Sequence, residues 1–496
     1  MQLKKLMCLS AVLVLAALLH AQTDSLLPLL GSLPVNGKVT ELKIINDPDG
    51  GAYVLYIEDG LFKAARFSGG IISAFVPEGL PPILESAEDI QLGGTGPTQY
   101  AAVTSGTGTK TIHLLYLDFR GELSVLPLQE NTYPSLERYA LVTGNDYGLA
   151  LYCLAGGVLF CTDGIDDQNS LQIKRQISLP GEYVRAFGVS SDINCTYWYG
   201  WYTGGGKTVL FSRNENGLAS YRTANTAPAA SSVNIISHAD GSSVIRIING
   251  VNVSVYRGDQ GIIRPAYSFD APYPVTGYEE FYTANGNNDG VTGSYNGGTV
   301  ICDDSSGKYV YSVSDLSSGA PVFCELLVLE KGAADPVFLY TMEQDIIMLY
   351  NSGNTVYSLP FPALSAKRIG NGVISGFING ETPQLALYDK TTNSAEALQY
   401  SDKNWSGVKR ISLPDDIPPV PGDILPDNIF SSIFFDKNDT CVITVTDGML
   451  LINTKTGQYQ IIPGTDFTVS HKINGIIFSG TFSGNSINIY YLEDQP

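Results

Sequence analysis

The chain has 496 residues, of which 49 are acidic and 29 basic, so its formal net charge at pH 7 is −20. This acidic field repels phosphate backbones, which excludes nucleic acid as a partner. Charged residues make up only 16% of the chain, well below the usual share for globular proteins, which indicates a surface covered mainly by small polar and aromatic side chains.

The N-terminal stretch has the features of a secretory signal peptide. Two lysines precede an apolar run over residues 6–19, and Ala21 offers a small residue for cleavage. The run is too short to span a bilayer comfortably. We therefore expect residues 1–21 to be removed on export. The mature chain, residues 22–496, should have no transmembrane segment and should lie in the periplasm, outside the cell or at the cell surface.

After this segment the sequence pattern is typical of many short strands. Apolar and aromatic runs alternate with turns rich in Gly, Asn and Asp, and no helical stripe of three turns is present. Four runs can be traced over residues 41–77, namely "ELKIIND", "AYVLYIED", "LFKAARFS" and "IISAFVP". Units of this kind recur about every 47 residues, a period that indicates a repeat architecture.

Four antiparallel strands in a unit of this length resemble the repeats of the β-propeller superfamily. Stacking such sheets face to face buries both faces of each, and a closed ring leaves no end sheet unprotected. The last unit supplies only about three strands, whereas the apolar segment 25–37 has no partner of its own. We therefore predict an all-β fold, one large propeller of roughly 8–10 repeat units closed by pairing of the N- and C-terminal strands. Two fused rings are the alternative.

Four cysteines form two candidate disulfide pairs. Cys153 and Cys161 flank the turn in "LYCLAGGVLFC" and could face each other across a hairpin, and Cys302 and Cys324 are the next candidate pair. An exported chain permits disulfides. Buried free thiols are the alternative for each of the four.

The stretch "CTYWYGWYTGGG" (195–206) holds two tryptophans and several tyrosines next to three glycines. On a strand, Trp198 and Tyr202 share one face and Trp201 lies on the other, as expected for a strand packed between neighbouring sheets. Trp201 and Tyr202 adjoin the loop that leaves the sheet. Exposed rings there could stack on sugar rings or hold a peptide, so Trp198, Trp201 and Tyr202 are candidate ligand-binding residues.

The preceding segment "SSDINCTY" resembles the Asp box of sialidase-type propellers, S-x-D-x-G-x-T-W. Ser190, Asp192 and Thr196 match the motif, Tyr197 stands in place of Trp, and Asn194 replaces Gly. Asn tolerates the left-handed backbone that Gly supplies. The resemblance implies a structural turn rather than a catalytic site.

Several acidic or Asn-rich loops precede strands, at 46–51, 285–290, 377–384 and 435–440. They resemble degenerate calcium-binding loops of FG-GAP-type propeller repeats, D-x-N-x-D-G. Asn285, Asn287 and Asp289 have the alternating spacing, which implies a candidate calcium site; we expect no other cofactor. Calcium takes six to eight oxygen ligands, several of them carboxylate, and turn residues at strand entrances account equally for all four loops.

A proline-rich segment, "LPDDIPPVPGDILPDN" (413–428), interrupts the spacing of the repeats. Proline cannot donate to a sheet ladder, so we expect a loop that stands off its sheet. Such a segment could also offer a polyproline-type helix to a partner.

No catalytic motif is recognisable. Three histidines follow the signal peptide without zinc-like spacing, and there is no G-x-S-x-G elbow, P-loop or dinucleotide fingerprint. Paired glycosidase carboxylates from different repeats would leave no signature in the sequence. We therefore predict an exported, non-catalytic propeller that binds a protein or a cell-envelope component. The alternative is a carbohydrate-active propeller, glycan-binding or glycoside-cleaving, with its site at the channel rim.

Overall fold

The computed structural model describes most of the chain between residues 29 and 493. The segment 1–28 and the insert 413–428 lie outside the described part. The described residues contain no α-helix, and hence no helix long and apolar enough to cross a membrane. The described ranges are 29–47, 51–93, 99–118, 120–128, 131–143, 149–165, 171–177, 184–191, 197–214, 219–223, 230–237, 242–281, 297–316, 320–340, 346–361, 365–378, 383–389, 391–412, 433–435, 440–445, 448–453, 459–463, 467–469, 476–483 and 486–493.

The described residues form short strands throughout. In the first half of the chain these are β1 (Leu29–Pro34), β2 (Val39–Asn46), β3 (Ala52–Glu58), β4 (Leu61–Ser68), β5 (Ile71–Phe75), β6 (Ala87–Gly93), β7 (Gln99–Ser105), β8 (Thr109–Leu117), β9 (Leu123–Leu126), β10 (Thr132–Pro134), β11 (Leu136–Thr143), β12 (Leu149–Ala155), β13 (Val158–Ile165), β14 (Leu171–Ile177), β15 (Val184–Ser191), β16 (Tyr197–Gly204), β17 (Lys207–Asn214), β18 (Ala219–Thr223), β19 (Ser232–Ser237), β20 (Ser243–Asn249), β21 (Asn252–Asp259) and β22 (Ile262–Asp270). In the second half they are β23 (Val275–Phe281), β24 (Gly297–Asp303), β25 (Gly307–Ser314), β26 (Val322–Glu330), β27 (Val337–Tyr340), β28 (Ile346–Ser352), β29 (Thr355–Phe361), β30 (Lys367–Asn371), β31 (Val373–Ile378), β32 (Gln384–Asp389), β33 (Ser394–Ser401), β34 (Asn404–Ser412), β35 (Ile433–Phe435), β36 (Thr440–Val445), β37 (Gly448–Asn453), β38 (Tyr459–Pro463), β39 (Phe467–Val469), β40 (Ile476–Ser483) and β41 (Ser486–Glu493).

These strands pair into ten antiparallel sheets, numbered here in chain order. Sheet 1 is β2–β5, and sheet 2 is β6–β10, in which β9 and β10 both pair with β8. Sheets 3 to 9 each take the next four strands, from β11–β14 to β35–β38. Sheet 10 has the order β1-β41-β40-β39, so the first strand of the described chain pairs with the last. In this pairing Leu33 lies opposite Ile487.

Sheets 1 to 5 lie side by side through their first strands. These strands contact one another in succession, β2 with β6, β6 with β11, β11 with β15 and β15 with β19, and β2 also contacts β39 and β40 of sheet 10. Four-stranded antiparallel sheets that meet along their first strands are the blades of a β-propeller. The prediction of an all-β propeller is confirmed, as is the pairing of the terminal strands, and ten sheets fall within the predicted range.

The core lies between the sheets. All residues of β3, β7 and β12 are buried, because these second strands have a neighbouring sheet on each face. This explains why the middle of each strand is an apolar run rather than an alternating one. One apolar cluster, for example, joins Ile57 of sheet 1 to Val103 of sheet 2, and another joins Val54 to Ile487 of sheet 10. The fourth strands, such as β5 and β26, are mostly exposed.

Candidate functional sites

The structure places the aromatic stretch inside the fold, in β16. Trp198 and Tyr202 are only 4% and 1% exposed. Contrary to expectation Tyr202 does not reach solvent; its ring packs at 6.1 Å from that of Phe211, in a cluster shared with sheet 3. Trp201 is half-buried on the other face, against sheet 5. Packing between sheets therefore accounts for the stretch, and Trp201 is the one of the three candidate rings that keeps exposed surface.

A buried arginine beside these rings was not apparent from the sequence. Arg213 on β17 is 1% exposed, and its guanidinium carbon lies 5.8 Å from the centre of the Trp198 ring. Its Nη1 donates to the Tyr152 hydroxyl at 3.4 Å and to the Cys161 sulfur. The face of Trp198 is thus occupied by a cation–π contact within the protein. In the sequence, the only indication of this buried arginine was a single basic residue near the end of an apolar strand.

All four candidate cysteines carry free thiols in the structure, which is the second of the two alternatives that the sequence left open. Cys153 lies opposite Phe160 in the hairpin register, so its side chain and that of Cys161 point to opposite faces of sheet 3. Cys302 is buried on β24, whereas Cys324 is exposed on the outermost strand β26. Burial raises the pKa of Cys153 to about 12 and that of Cys302 to about 11.

The candidate calcium ligands Asn285, Asn287 and Asp289 lie outside the described residues, as does most of the Asp-box turn. In the loop at 46–51 the described carboxylate is that of Asp47, which is 3% exposed and accepts a hydrogen bond from Arg66 Nη2 at 2.6 Å. Within the described ranges, no three His, Cys, Asp or Glu side chains are grouped as metal ligands. Asp47 therefore serves as a structural partner of Arg66.

Two polar pockets lie between neighbouring sheets. The first, which we call the arginine pocket, has a volume of 280 Å³ and lies between sheets 7 and 8. The outermost strand of sheet 7, β30, forms one wall, and β32–β34 with their connections form the other. The lining residues are Arg368, Ile369, Gly370, Asn371, Leu387, Asp389, Ser394, Glu396 and Arg410.

Neutral side chains hold the two guanidiniums of the arginine pocket. Arg410 donates from Nε and Nη2 to Ser394 Oγ at 3.3 and 3.2 Å, and from Nη2 to Thr392 Oγ1 at 3.2 Å. Arg368 Nη2 donates to Asn371 Oδ1 at 2.6 Å. Both arginines are exposed, and within the described part of the chain neither forms an ion pair. This is unusual in a protein with such an excess of carboxylates.

The nearby carboxylate of Asp389 is occupied by its own turn. Its Oδ1 accepts from Asn354 Nδ2 at 3.1 Å and from the Thr391 amide at 2.9 Å, and its Oδ2 accepts from Thr392 Oγ1 at 2.9 Å. These bonds, that from Asn354 foremost, lower the pKa of Asp389. Asp389 therefore fixes the turn that carries Thr392 rather than neutralising the arginines.

The second pocket, which we call the carboxylate pocket, has a volume of 210 Å³ and lies where β6 and β11 meet. Its carboxylates are those of Glu88, Asp89 and Glu137. Glu88 pairs with Lys110, and Asp89 accepts from Gln91 Nε2 at 3.2 Å. The other lining residues are Thr104, Leu136, Arg138 and Tyr139, of which Tyr139 is buried, and burial followed by the nearby Asp89 raises its pKa.

Comparison with known proteins gives structural similarity without sequence similarity. No protein-family model and no curated protein matches the sequence. The WD40 domain of SCAP from fission yeast matches with a TM-score of 0.42 at 9% identity, covering 94% of this chain and 97% of that one. A structure described as the eukaryotic initiation factor gives 0.44 at 9% identity, with coverages of 83% and 96%. The Dos1 propeller gives 0.38 at 9% identity, with coverages of 72% and 93%. These scores are low, and the fold assignment rests on the strand pairing described above.

Proposed function

We propose that the chain is an exported, non-catalytic β-propeller that binds a protein partner of the cell envelope. The observation that carries the proposal is the arginine pocket, in which two exposed guanidiniums are fixed by neutral side chains beside a cavity open to solvent. Arginine is enriched among the residues that dominate protein–protein binding energy, and its planar fork is suited to carboxylate recognition.

The use of the buried ionisable groups supports binding over catalysis. Glu280 is fully buried and accepts from Arg257 Nη2 at 3.0 Å and from the Tyr267 hydroxyl, which ties sheet 6 to sheet 5. The ring of His113 lies 3.2 Å from Ser105 Oγ, and burial lowers its pKa. Each of these groups contacts structural partners between strands or sheets, and neither lines one of the two pockets.

A carbohydrate-active propeller is the second proposal, and the carboxylate pocket favours it. Three carboxylates, two from β6 and one from β11, line one cavity. Such carboxylates could accept hydrogen bonds from glycan hydroxyls, or two of them could act as the acid and base of a glycosidase. However, Tyr139 is buried there, and Glu88 is paired with Lys110. Glu137 also accepts from the Gly157 amide at 3.3 Å, so each carboxylate of this pocket already has a partner within the protein.

The test is crosslinking in the native cell followed by affinity capture of the mature chain, residues 22–496. We expect one recurrent envelope protein that is lost from the double variant Arg368→Ala, Arg410→Ala and retained by Glu137→Ala. Glycan capture that Glu137→Ala abolishes would instead support the second proposal. Recovery of no protein above background would refute the first.

A further inference from the structure

We infer that the arginine pocket binds a single carboxylate of an acidic peptide segment, held between Arg368 and Arg410. The inference rests on the proposed protein-binding function and adds the chemistry of the anchor group that the partner supplies. It is supported by the hydrogen bonding of the two guanidiniums, by the negative charge and position of Glu396, and by the size and rigidity of the pocket.

The two guanidiniums have donors left for a ligand. A guanidinium has five N–H donors in a planar fork. The recorded bonds engage Nε and Nη2 of Arg410 and Nη2 of Arg368, all with neutral acceptors. Within the described residues, Nη1 of either arginine has no acceptor. A ligand carboxylate would supply both the missing acceptors and the missing counter-charge, and such charge-assisted bonds are about twice as strong as neutral ones.

Glu396 selects a singly charged group over phosphate or sulfate. It is half-buried, lines the same pocket, and lies opposite Arg410 in the β33–β34 register. A second negative charge on the ligand would therefore be repelled by the Glu396 carboxylate, within a protein that already carries a net charge of −20. The same carboxylate can accept a peptide N–H beside the ligand carboxylate. One carboxylate flanked by N–H donors is the pattern of an acidic peptide.

The pocket is small and its walls are fixed. Its 280 Å³ lies at the lower end of ligand-pocket volumes, which suits one anchor side chain or chain terminus. Ser394, which orients Arg410, is 4% exposed. A Cβ added at Gly370 would lie 2.3 Å from Leu387 Cδ1, so β30 packs closely against sheet 8. A preformed site of this kind loses little conformational entropy on binding.

The experiment titrates the mature chain with three pentapeptides by calorimetry at low ionic strength. The first two are blocked at both ends and carry a central aspartate or a central asparagine. The third is blocked only at its N-terminus, so it has no acidic side chain but a free C-terminal carboxylate. We expect the first or third peptide to bind with a Kd of about 1 mM or tighter, and the asparagine peptide to bind about tenfold more weakly or worse. Whether the first or the third binds better identifies the carboxylate as a side chain or a chain terminus.

The double variant Arg368→Gln, Arg410→Gln should weaken binding about tenfold or more, whereas Arg264→Gln, an exposed arginine on the outermost strand β22, should leave it unchanged. Matching melting curves would show that the variants are folded.

Equal binding by the double variant, no binding of either carboxylate peptide, or tighter binding of inorganic phosphate would each overturn the inference. If crosslinking captures a partner while both peptides fail, the proposed function stands and the carboxylate anchor does not. If a peptide binds and no partner is captured, the carboxylate site stands and the proposed protein-binding function does not.

Discussion

At the scale of single residues, Glu58 shows how one buried charge holds two distant parts of the chain. It is 4% exposed at the end of β3, and its Oε1 accepts from the Asn36 and Gly37 amides at 2.6 Å each. Its other oxygen pairs with Lys63. Burial by itself would raise the pKa of Glu58, but the bonds from Lys63, Asn36 and Gly37 outweigh burial and lower it. The connection from β1 to β2 is thereby fixed to sheet 1.

Replacing Glu58 with alanine should lower the free energy of unfolding by about 1–3 kcal/mol, because two backbone N–H groups lose their acceptor. Glu88→Ala is the matched control. The Glu88 side chain is 55% exposed, and its ion pair with Lys110 should contribute no more than about 1 kcal/mol. Urea unfolding followed by circular dichroism measures both. Equal losses in the two variants would show that the Glu58 contacts contribute no more than a surface pair.

The lowered pKa of Glu58 also predicts an acid sensitivity. Its folded pKa is below the ordinary value of 4.5, so its ionised form is bound better in the native state. Its contribution is fully present above pH 4.5 and is lost as the pH falls through the folded pKa. We expect the difference in Tm between the native sequence and Glu58→Gln to narrow as the pH is lowered below that value. A constant difference across the range would contradict this assignment.

The thiols should differ sharply in reactivity. Cys324 is exposed, whereas Cys302 is buried and its pKa is raised to about 11, which suppresses the reactive thiolate. In the native protein, Cys324→Ser should therefore remove one fast-reacting equivalent of a thiol reagent, and Cys302→Ser should remove none. Denatured protein should lose one equivalent in either variant. If the two residues formed a disulfide, each substitution would instead add one reactive equivalent in the denatured, unreduced protein.

At the scale of the strand, β16 shows which features of a strand can be predicted from the sequence and which cannot. The alternation of its side chains was predictable, because successive residues on a strand point to opposite faces. The burial of Tyr202 was not, since it depends on how closely sheet 3 approaches. The same limit applies to Cys153 and Cys161, which flank a turn in the sequence but are one residue out of register in the hairpin.

Close packing around β16 depends on glycine. A Cβ added at Gly200 would lie 2.2 Å from Phe211 Cζ, in a ring that has little room to move. Gly200→Ala should therefore cost about 1–3 kcal/mol through overpacking. In the matched variant Gly407→Ala the nearest atoms to the new Cβ would be a Glu396 carboxylate oxygen at 3.3 Å and Leu398 Cδ2 at 3.9 Å, so the loss should be smaller. Thermal melts of the two variants make the comparison, and a smaller loss at position 200 would exclude tight packing of the Phe211 ring.

At the scale of the whole molecule, the period of the repeat was sufficient to predict the sheets, but not the pockets between them. Apart from sheet 10, each sheet takes its strands from one continuous stretch of the chain. The arginine pocket instead combines Arg368 with Arg410, which belong to different sheets and share no motif. Its chemistry depends on neutral partners such as Ser394, and only the folded register brings these to the guanidiniums.

Sheet 10 is the one sheet that a continuous stretch of the chain cannot form alone, because its first strand, β1, comes from the other end of the chain. β1 covers one edge of β41, and Leu33 packs against the cluster that contains Ile487 and Ile489, which are fully buried. A chain that begins at Val35 lacks β1 and leaves β41 with an unpaired edge, which is a template for aggregation. We expect a lower Tm and self-association by light scattering, relative to the chain that begins at Gln22.

A peptide with the sequence of residues 29–34 tests whether the missing strand itself is responsible. Added in excess to the truncated chain, it can occupy the free edge of β41 by strand addition and should recover part of the lost Tm. A scrambled peptide of the same composition should not, because the register places Leu33 against Ile487. If the truncated chain instead melts like the longer one and stays monomeric, sheet 10 is stable with three strands and β1 does not stabilise the fold.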